Sequence, residues 1–285
     1  MTAATETAPG ITVDSFLDGR VEALQYARGH HRAGLEAVLL AVSLDSRLTG
    51  TVADLGAGVG VAGFCAAARC PHAKVVLVER NADAVACARQ ALTRPANAAF
   101  ANRVRIAATD ITAPEAERAA AGMGRDLADH VLLNPPFHPE AAGSRSPNPA
   151  RADAHVLDAG GLDSWLRAAA SVLKVRGDVT VIFRADGLAQ LLAAIGRRFG
   201  ALDILPIQPR VGAPAHRVLV RGLKGAGGPL RILPALVLHG DTGNGFTADV
   251  EAMLRQGRAL SSVVRAWHGG RGAPSRDDRH EESGA

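Results

Sequence analysis

The stretch TVADLGAGVG, residues 51–60, decides the fold of this chain. Its first half is an apolar strand candidate, and its glycines form a turn that leads into an alanine-rich helix candidate near 60–70. Glycine in such a turn lets the backbone approach a ligand closely. A strand, a glycine-rich turn and a helix in this order predict the first unit of an open parallel sheet with crossover helices.

Strand and helix candidates alternate along the rest of the chain. The further strand candidates are residues 74–79, 104–110, 130–137, 178–185, 201–209 and 216–225. Helix candidates lie near 82–92, 114–121, 161–175, where Gly177 ends the helix, and 187–198. The turn RVGAPA, residues 210–215, joins the last two strands so tightly that they should be antiparallel. We therefore predict an α/β, Rossmann-like fold: a seven-stranded sheet, mainly parallel with one antiparallel strand, and helices on both faces.

The same pattern divides the chain into four segments. Residues 1–48 form an N-terminal extension with a helix beside the ligand site, and residues 49–225 form the α/β domain. Residues 226–260 form a C-terminal extension with a turn at 241–245 and a short helix near 247–257. Residues 261–285 are predicted to be a disordered, polar tail.

Composition indicates a cytoplasmic globular protein. The 32 Lys and Arg against 28 Asp and Glu give a net charge of +4, too small for an argument about nucleic acid. The three cysteines, Cys65, Cys70 and Cys87, have no C-x-x-C spacing and read as reduced core residues. The N-terminus has no signal-peptide pattern, and no apolar run approaches membrane-spanning length, so we expect no membrane association.

Three acidic residues close three successive strands of the predicted sheet: Asp54, Glu79 and Asp110. At the carboxyl edge of an open parallel sheet they should face one crevice, which is where such folds bind ligands. Asp54 would repel a pyrophosphate but could face a ligand's ammonium group, and Asp110 could accept a hydrogen bond from an adenine amine. These details favour S-adenosylmethionine as the cofactor. The predicted cofactor-binding residues are Asp54, Gly56, Ala57, Gly58, Gly60, Glu79, Arg80, Asp110, Ile111 and Asn134.

A second motif, VLLNPPFHPE at residues 131–140, ends the fourth strand with two prolines. Proline cannot donate a hydrogen bond, so the strand end presents carbonyls held by fixed dihedrals. The Asn134 side-chain oxygen and the Pro135 carbonyl could bind both hydrogens of a planar amine and localise its lone pair. Phe137 could stack on the base. Asn134, Pro135, Pro136 and Phe137 are the predicted catalytic residues, and the chemistry needs no metal.

Together these motifs resemble the class I S-adenosylmethionine-dependent methyltransferases that act on planar amines. Within them the chain is most similar to the bacterial tRNA adenine-N6 methyltransferases that modify an adenosine next to the anticodon of valine tRNA. HHRAGLEAVLLA (30–41) resembles a family segment, with Arg32 in place and Glu36 instead of the usual Asp. ARADAHV (150–156) and residues 229–255, with Phe246 where Tyr is common, also resemble the family.

The resemblance implies methyl transfer to the N6 of an adenine in RNA, with tRNA as the partner and Glu79 binding the ribose hydroxyls. Arg32 could line the cofactor or RNA groove, with a solvated helix start as the alternative, and together with the stacking residue Phe137 it is a predicted substrate contact. Two arginines that flank or lie in the 141–150 loop, Arg145 and Arg151, could grip phosphates.

Four alternatives remain open at this stage. Related folds use the same motif for guanine N2 in ribosomal RNA and for a protein glutamine amide. Gly58, Gly60 and Gly63 satisfy G-x-G-x-x-G, so a nicotinamide-dependent oxidoreductase is a third alternative, although it leaves Asp54 and the NPPF motif unexplained. A non-catalytic RNA-binding protein is the fourth, and the presence of Asn134 argues against it.

Overall fold

The computed structural model of the chain describes residues 10–26, 33–136 and 161–267. Its strands, in chain order, are β1 (Ile11–Phe16), β2 (Val21–Tyr26), β3 (Gly50–Leu55), β4 (Ala73–Glu79), β5 (Val104–Ala108), β6 (Ala128–Leu133), β7 (Leu173–Arg184), β8 (Phe199–Gln208), β9 (Arg217–Lys224), β10 (Arg231–Ile232) and β11 (Leu236–Val237). Its α-helices are α1 (Leu35–Val42), α2 (Val61–Arg69), α3 (Ala82–Leu92), α4 (Ala98–Ala101), α5 (Glu115–Ala120), α6 (Gly161–Val172), α7 (Leu188–Ile195) and α8 (Ala248–Gln256).

The main sheet has the predicted seven strands at its centre, in the order β8-β9-β7-β6-β3-β4-β5. Strands β3 to β7 pair in parallel, whereas β9 is antiparallel to both β7 and β8. The predicted fold, with one reversed strand, is therefore confirmed. The short strands β10 and β11 pair with β8 and widen the sheet beyond the prediction.

The chain order reverses between β3 and β6. From β3 the chain proceeds outward through β4 and β5, then returns to place β6 on the other side of β3. Open α/β sheets bind ligands outside the carboxyl ends of the strands at such a reversal. The topology therefore places the glycine-rich turn after β3 and Asn134, which follows β6, on either side of one crevice.

Apolar side chains alternate between the two faces of the sheet and form two cores. One contains Val52, Leu77 and Leu132 of the sheet and packs against α1, α2 and α8. The other contains Leu55 and Leu133 and packs against α6 and α7. Each face buries its own set of strand residues because successive side chains of a strand point to opposite sides. Helices on both faces follow from this.

The predicted role of Gly177 as the end of a helix is wrong. Helix α6 ends at Val172 and β7 begins at Leu173, so Gly177 lies inside the strand. The pairing of β7 with β6 shifts register between Ala128 and His130, as at a β-bulge. A Cβ atom on Gly177 would lie 2.9 Å from the Asp129 carbonyl oxygen, so close backbone approach explains this glycine.

A β-hairpin precedes the methyltransferase-like segment and was not predicted. Strands β1 and β2 pair in antiparallel register from Ile11 with Tyr26 to Phe16 with Val21. The buried side-chain amide of Gln25 then holds Ala33: its Nε2 donates to the Ala33 carbonyl at 3.0 Å, and its Oε1 accepts from the Ala33 N–H at 2.7 Å. These bonds fix the start of α1 over the sheet.

The C-terminal part differs from prediction in its length. The sequence assigns residues from 261 onward to a disordered tail, but packing continues to Trp267. The Trp267 side chain is fully buried, and its indole N–H donates to the Ser43 carbonyl at 2.9 Å. Residues 268–285 lie outside the described residues. Within the described ranges, none of the helices is both long and apolar enough to span a membrane.

Candidate active site

The turn after β3 is an open backbone cradle. The N–H groups of Gly56 and Ala57 both donate to the Val78 carbonyl at 2.9 Å, which fixes the turn to the end of β4. Gly58 has a φ of 55°, and a Cβ atom built on it would have no other atom within 4 Å. A side chain there would occupy empty space in front of the turn. This is the form expected where a backbone approaches a ligand closely.

Packing requires two other glycines, one in the turn and one in the first turn of α2. Gly56 has a φ of 72°, and a Cβ atom on it would lie 2.6 Å from the indole ring of Trp165 in α6. A Cβ atom on Gly63 would lie 2.1 Å from a Leu77 methyl group. Trp165 was not among the predicted site residues. No local pattern links it to Gly56, because the two residues are distant in the chain and meet only where α6 packs on the sheet.

Asp54 is buried beneath the turn. Its carboxylate accepts a hydrogen bond from the Gly63 N–H at 2.9 Å, and the residue is only 3% exposed. Burial raises the pKa of Asp54 to about 7; the Gly63 hydrogen bond opposes the rise and the charge of Glu79 adds to it. A buried acid that is half ionised near neutral pH would gain from a ligand cation.

Glu79 ends β4 beside the cradle. Its Oε2 accepts from the Gly58 N–H at 2.8 Å, and its Oε1 accepts from the Asn81 N–H at 2.8 Å. Each carboxylate oxygen can accept two hydrogen bonds, so each keeps acceptor capacity beyond its backbone partner. The pair of backbone bonds orients the carboxylate, which suits the recognition of two adjacent hydroxyl groups.

Asp110, which follows β5, has partners within the chain. Its Oδ1 accepts from the Thr112 N–H and hydroxyl at 2.7 Å, and its Oδ2 pairs with Arg80 at 2.9 Å. Partial burial raises the pKa of Asp110, but the Thr112 hydrogen bonds and the Arg80 guanidinium lower it further, so the net shift is downward. Ile111 is 5% exposed, within the second core. Contacts of Arg80, Asp110 and Ile111 with a cofactor remain predictions.

Asn134 follows β6 and lies across from the turn. Leu133 pairs with Leu55 in the sheet, so Asn134 is placed beside Gly56 at the same edge. The Asn134 Oδ1 atom is buried and has no hydrogen-bond partner in the part of the chain that the structure describes. Pro135 is buried next to it. A buried acceptor without a donor is costly in a folded protein, and its presence at a ligand edge indicates that a ligand supplies the donor.

The residues present fit S-adenosylmethionine. The cradle is open at Gly58, the Glu79 carboxylate has acceptor capacity that suits a ribose, and Asp54 places a buried acid beneath the turn, where a cofactor ammonium group would pair with it. The unpartnered oxygen of Asn134 stands at the edge where the acceptor amine would have to lie. A dinucleotide would instead bring a pyrophosphate toward Asp54, which the buried acid disfavours.

A cleft of about 140 Å³ lies between α1 and the strands β7, β8 and β9. Leu133 pairs with Val181, so Ile182 of the cleft is next to Asn134 on the neighbouring strand. Arg217 donates through Nε to Glu36 Oε1 at 2.5 Å, which links β9 to α1 across the cleft. Besides Ile182, the cleft is lined by Leu35, Glu36, Leu39, Ile207 and Arg217.

Sequence reasoning identified Glu36 as a departure from the family pattern but did not find its partner. Glu36 and Arg217 are 181 positions apart in the chain, and no local pattern connects them. Four predicted substrate contacts lie outside the described residues: Arg32, Phe137, Arg145 and Arg151.

Comparison with known proteins places the chain among methyltransferases. A family model described as the methyltransferase small domain matches residues 29–203. The chain is 29% identical to a tRNA1(Val) (adenine(37)-N6)-methyltransferase of Shewanella frigidimarina over 182 residues, which are 62% of this chain and 69% of that protein. It is 29% identical to the protein of the same name from Porphyromonas gingivalis over 167 residues, 56% of this chain and 61% of that protein.

A solved structure gives a broader match. A predicted O-methyltransferase from Agrobacterium tumefaciens is 33% identical, with a TM-score of 0.65. The match covers 78% of this chain and 96% of that chain. The names of these relatives agree on methyl transfer and differ in the acceptor atom.

Proposed function

Because the chain belongs to the methyltransferase small domain family and is a methyltransferase dependent on S-adenosylmethionine, we propose that its acceptor is the exocyclic N6 amine of an adenine in RNA, with tRNA as the RNA class. The observation that carries the proposal is the buried, unpartnered Oδ1 of Asn134 beside the glycine-rich turn. An N–H group of a planar amine is the donor that this oxygen lacks.

Asn134 and Pro135 act on the acceptor amine. The lone pair of an adenine N6 is delocalised into the ring, which makes the amine a poor nucleophile. Two acceptors, Asn134 Oδ1 and the Pro135 carbonyl, bind its two hydrogens and favour a tetrahedral nitrogen. Among the described residues nothing donates to the Pro135 carbonyl. The two oxygens therefore localise the lone pair without first giving up a partner.

The remaining site residues hold and orient the cofactor. When bound, S-adenosylmethionine supplies a methyl group on a positively charged sulfur, which is already a strong electrophile. Glu79 orients the ribose, Asp54 faces the ammonium group, and the open backbone at Gly58 admits the ligand. Positioning of amine and methyl group for in-line displacement is the main contribution of the protein. The nitrogen loses its extra proton to solvent after transfer.

The relatives named for tRNA support the choice of RNA. The two relatives carry the same name and come from different bacteria, and each is 29% identical to this chain. They also support adenine over guanine, since both names specify N6 of adenine. The proposal extends those names to this chain on the strength of Asn134 and the cradle.

The test is methyl transfer from radiolabelled S-adenosylmethionine to total tRNA, total rRNA, duplex DNA and a release-factor protein in parallel. We expect label in tRNA that digests to N6-methyladenosine. Asn134→Ala should lose activity by roughly two to three orders of magnitude, as when one preorganised hydrogen-bonding group is removed from an active site. Its affinity for S-adenosylhomocysteine should stay within a few-fold of wild type.

Other patterns of label would contradict the proposal in distinct ways. Label confined to rRNA, as N2-methylguanosine, would replace the acceptor but keep the mechanism. Label confined to the release factor would replace RNA with a glutamine amide. Binding of S-adenosylhomocysteine without transfer to any of the four would identify a non-catalytic protein.

A further inference from the structure

Two aromatic rings stack on the surface of the C-terminal extension. The ring centroids of His239 and Phe246 are 4.9 Å apart, and the ring planes differ by 18°. The two residues form an isolated antiparallel β-bridge across the turn at 241–245. Phe246 is 38% exposed, although a large apolar side chain is ordinarily buried. The fold therefore holds an aromatic pair at the surface.

Hydrogen bonds hold this pair in place. The Arg210 guanidinium, from the turn between β8 and β9, donates to the carbonyls of Gly240 and Gly243. The His239 ring Nδ1 lies 3.2 Å from the Gly245 carbonyl oxygen. In the described ranges the hydrogen-bond partners of the Arg210 guanidinium are carbonyl oxygens rather than carboxylates. We call Arg210, His239 and Phe246 the ring ledge.

The ring ledge lies on the same edge of the sheet as Asn134. Strand β11 pairs with β8 at Ile207, and the His239 N–H donates to the Pro209 carbonyl just after β8 ends. The strand order from β6 through β7, β9 and β8 to β11 spans four strand spacings, which is about 19 Å. A few nucleotides of a single strand cover that distance.

The cleft connects Asn134 with the ring ledge. Ile182 and Ile207 line the cleft, one beside Asn134 and the other beside β11. Burial lowers the pKa of His216, which also lines the cleft, and the charges of Arg217 and His239 lower it further. Cleft and ring ledge meet at the end of β8, where the His216 N–H donates to the Ile207 carbonyl at 3.1 Å and the His239 N–H donates to the Pro209 carbonyl at 3.0 Å.

We propose that the ring ledge binds an unpaired nucleobase of the RNA strand that carries the target adenine, a few nucleotides from it. The proposal rests on the proposed function. Proteins that recognise single-stranded RNA stack its bases on aromatic side chains and contact its phosphates with arginine. The ring ledge offers the same combination, because Phe246 supplies an exposed aromatic ring and Arg210 supplies a guanidinium. Both lie close to the cleft that leads to Asn134.

The test measures binding of a short fluorescein-labelled oligoadenylate RNA to the full chain in the presence of S-adenosylhomocysteine. Loss of one base stack should make Phe246→Ala bind roughly fivefold to a hundredfold more weakly. Phe246→Tyr keeps the aromatic face and should bind as wild type. Val175→Ala, which removes an exposed apolar side chain near the opposite end of β7, is the matched control and should also bind as wild type.

Phe246→Leu distinguishes stacking of a base on a flat ring from non-specific contact with an apolar side chain. It keeps apolar bulk without a flat ring, so it should bind as weakly as Phe246→Ala, while its thermal midpoint should match wild type. In methyl transfer to tRNA, Phe246→Ala and Phe246→Leu should each raise the KM for tRNA and leave kcat unchanged. The reason is that the base stack forms equally in the ground state and the transition state.

Two results would overturn the inference. The first would leave the proposed function intact, and the second would overturn the proposed function as well. If wild type methylates tRNA and Phe246→Ala or Phe246→Leu binds the oligoadenylate as tightly as wild type, the ring ledge fails and the proposed function stands. If wild type binds no oligoadenylate and transfers label only to the release factor, both fail, because the partner is then a protein.

Discussion

At the scale of single residues, Gly56 and Trp165 are coupled. The indole ring occupies the space that a side chain at Gly56 would need, and the positive φ of Gly56 disfavours any other residue. Gly56→Ala should therefore destabilise the protein by about 2–5 kcal/mol, from overpacking and from left-handed strain together. Urea unfolding followed by circular dichroism would measure the change.

The double variant Gly56→Ala with Trp165→Leu checks the cause. Removal of the indole relieves the clash but not the strain, so we expect it to recover about 1–3 kcal/mol of the loss. If the losses in unfolding free energy from Gly56→Ala and Trp165→Leu simply add in the double variant, the indole ring does not clash with a side chain at position 56.

The proposed pairing of Asp54 with the ammonium group of the cofactor should make cofactor affinity depend on pH. The raised pKa of Asp54, about 7, leaves it largely protonated below neutrality, and a protonated acid cannot pair with an ammonium group. The affinity for S-adenosylhomocysteine should increase as pH rises, by up to about tenfold per pH unit below the pKa, and level off above it. Calorimetric titrations across neutral pH would give the profile.

Asp54→Asn is the control for this profile, because an amide does not titrate. Its affinity should be lower than that of wild type above neutral pH and nearly independent of pH. For stability the sign is opposite: the folded pKa exceeds that of the unfolded chain, so the free protein loses stability as pH rises from about 4 to about 7. A wild-type binding profile as flat as that of Asp54→Asn would refute the assignment of Asp54 to the ammonium group.

At the scale of elements, a buried polar network joins β6, β7 and β9. His130 Nδ1 lies 3.0 Å from Asp178 Oδ1, and Arg221 donates to Asp178 Oδ2 at 2.8 Å. Burial lowers the pKa of His130, but the charge and hydrogen bond of Asp178 outweigh it and raise the pKa above its usual value. The Asp178 carboxylate thus favours the charged form of the imidazole between the strands.

The pH dependence of stability follows from this shift. A raised histidine pKa contributes stability that is fully present below the unfolded value of 6.5 and is lost as pH rises through the folded pKa. Wild type should therefore lose stability relative to His130→Gln as pH rises above about 6.5. Chemical unfolding of both proteins at several pH values gives the difference. A difference that is constant across this range would mean that folding does not shift the pKa of His130.

The ends of the strands show which features of the fold could be predicted from the sequence. The ends of β3, β4 and β6 coincide with the glycine turn, Glu79 and Asn134, because local composition marks where an apolar strand stops. The hairpin of β1 and β2 also had a signal, since Asp18 and Gly19 lie between two six-residue segments. The bulge at Gly177 had none: it depends on the register between β6 and β7, which only the assembled sheet sets.

The residues of the candidate site also fall into two groups, those with a local sequence signal and those without one. Asp54, Glu79 and Asn134 could be found because each follows or ends a strand whose carboxyl edge is predictable. Trp165 and Arg217 could not, because their partners Gly56 and Glu36 are distant in the chain and meet only through packing of α6 and α1 on the sheet.

At the scale of the whole molecule, the C-terminal extension is integral to the fold. Arg69 in α2 donates to the Gly257 carbonyl after α8 at 2.7 Å, and Trp267 reaches Ser43 after α1. Arg231 forms two hydrogen bonds with Asp203 of β8, at 2.7 Å and 2.8 Å. These contacts tie the extension to helices α1 and α2 and to the sheet edge. The extension and the sheet should therefore unfold together.

The two tryptophans of the chain allow a direct test of this cooperativity. Trp165 lies in α6 beside the glycine turn, and Trp267 is buried in the extension. In Trp267→Phe only Trp165 reports unfolding, and in Trp165→Phe only Trp267 does. Each variant should show fluorescence and circular dichroism transitions at the same denaturant concentration, as for a two-state domain.

Trp267→Ala measures the energy of the contact. Loss of a large buried aromatic side chain should cost about 3–5 kcal/mol, whereas Ile232→Ala, at a residue 70% exposed in the same extension, should change stability by less than about 0.5 kcal/mol. If the Trp267 signal changes at lower denaturant concentration than circular dichroism, the extension unfolds as a separate unit. In that case a ring ledge on the extension would be only loosely coupled to the cleft, and Trp267→Ala would weaken RNA binding without shifting the main transition.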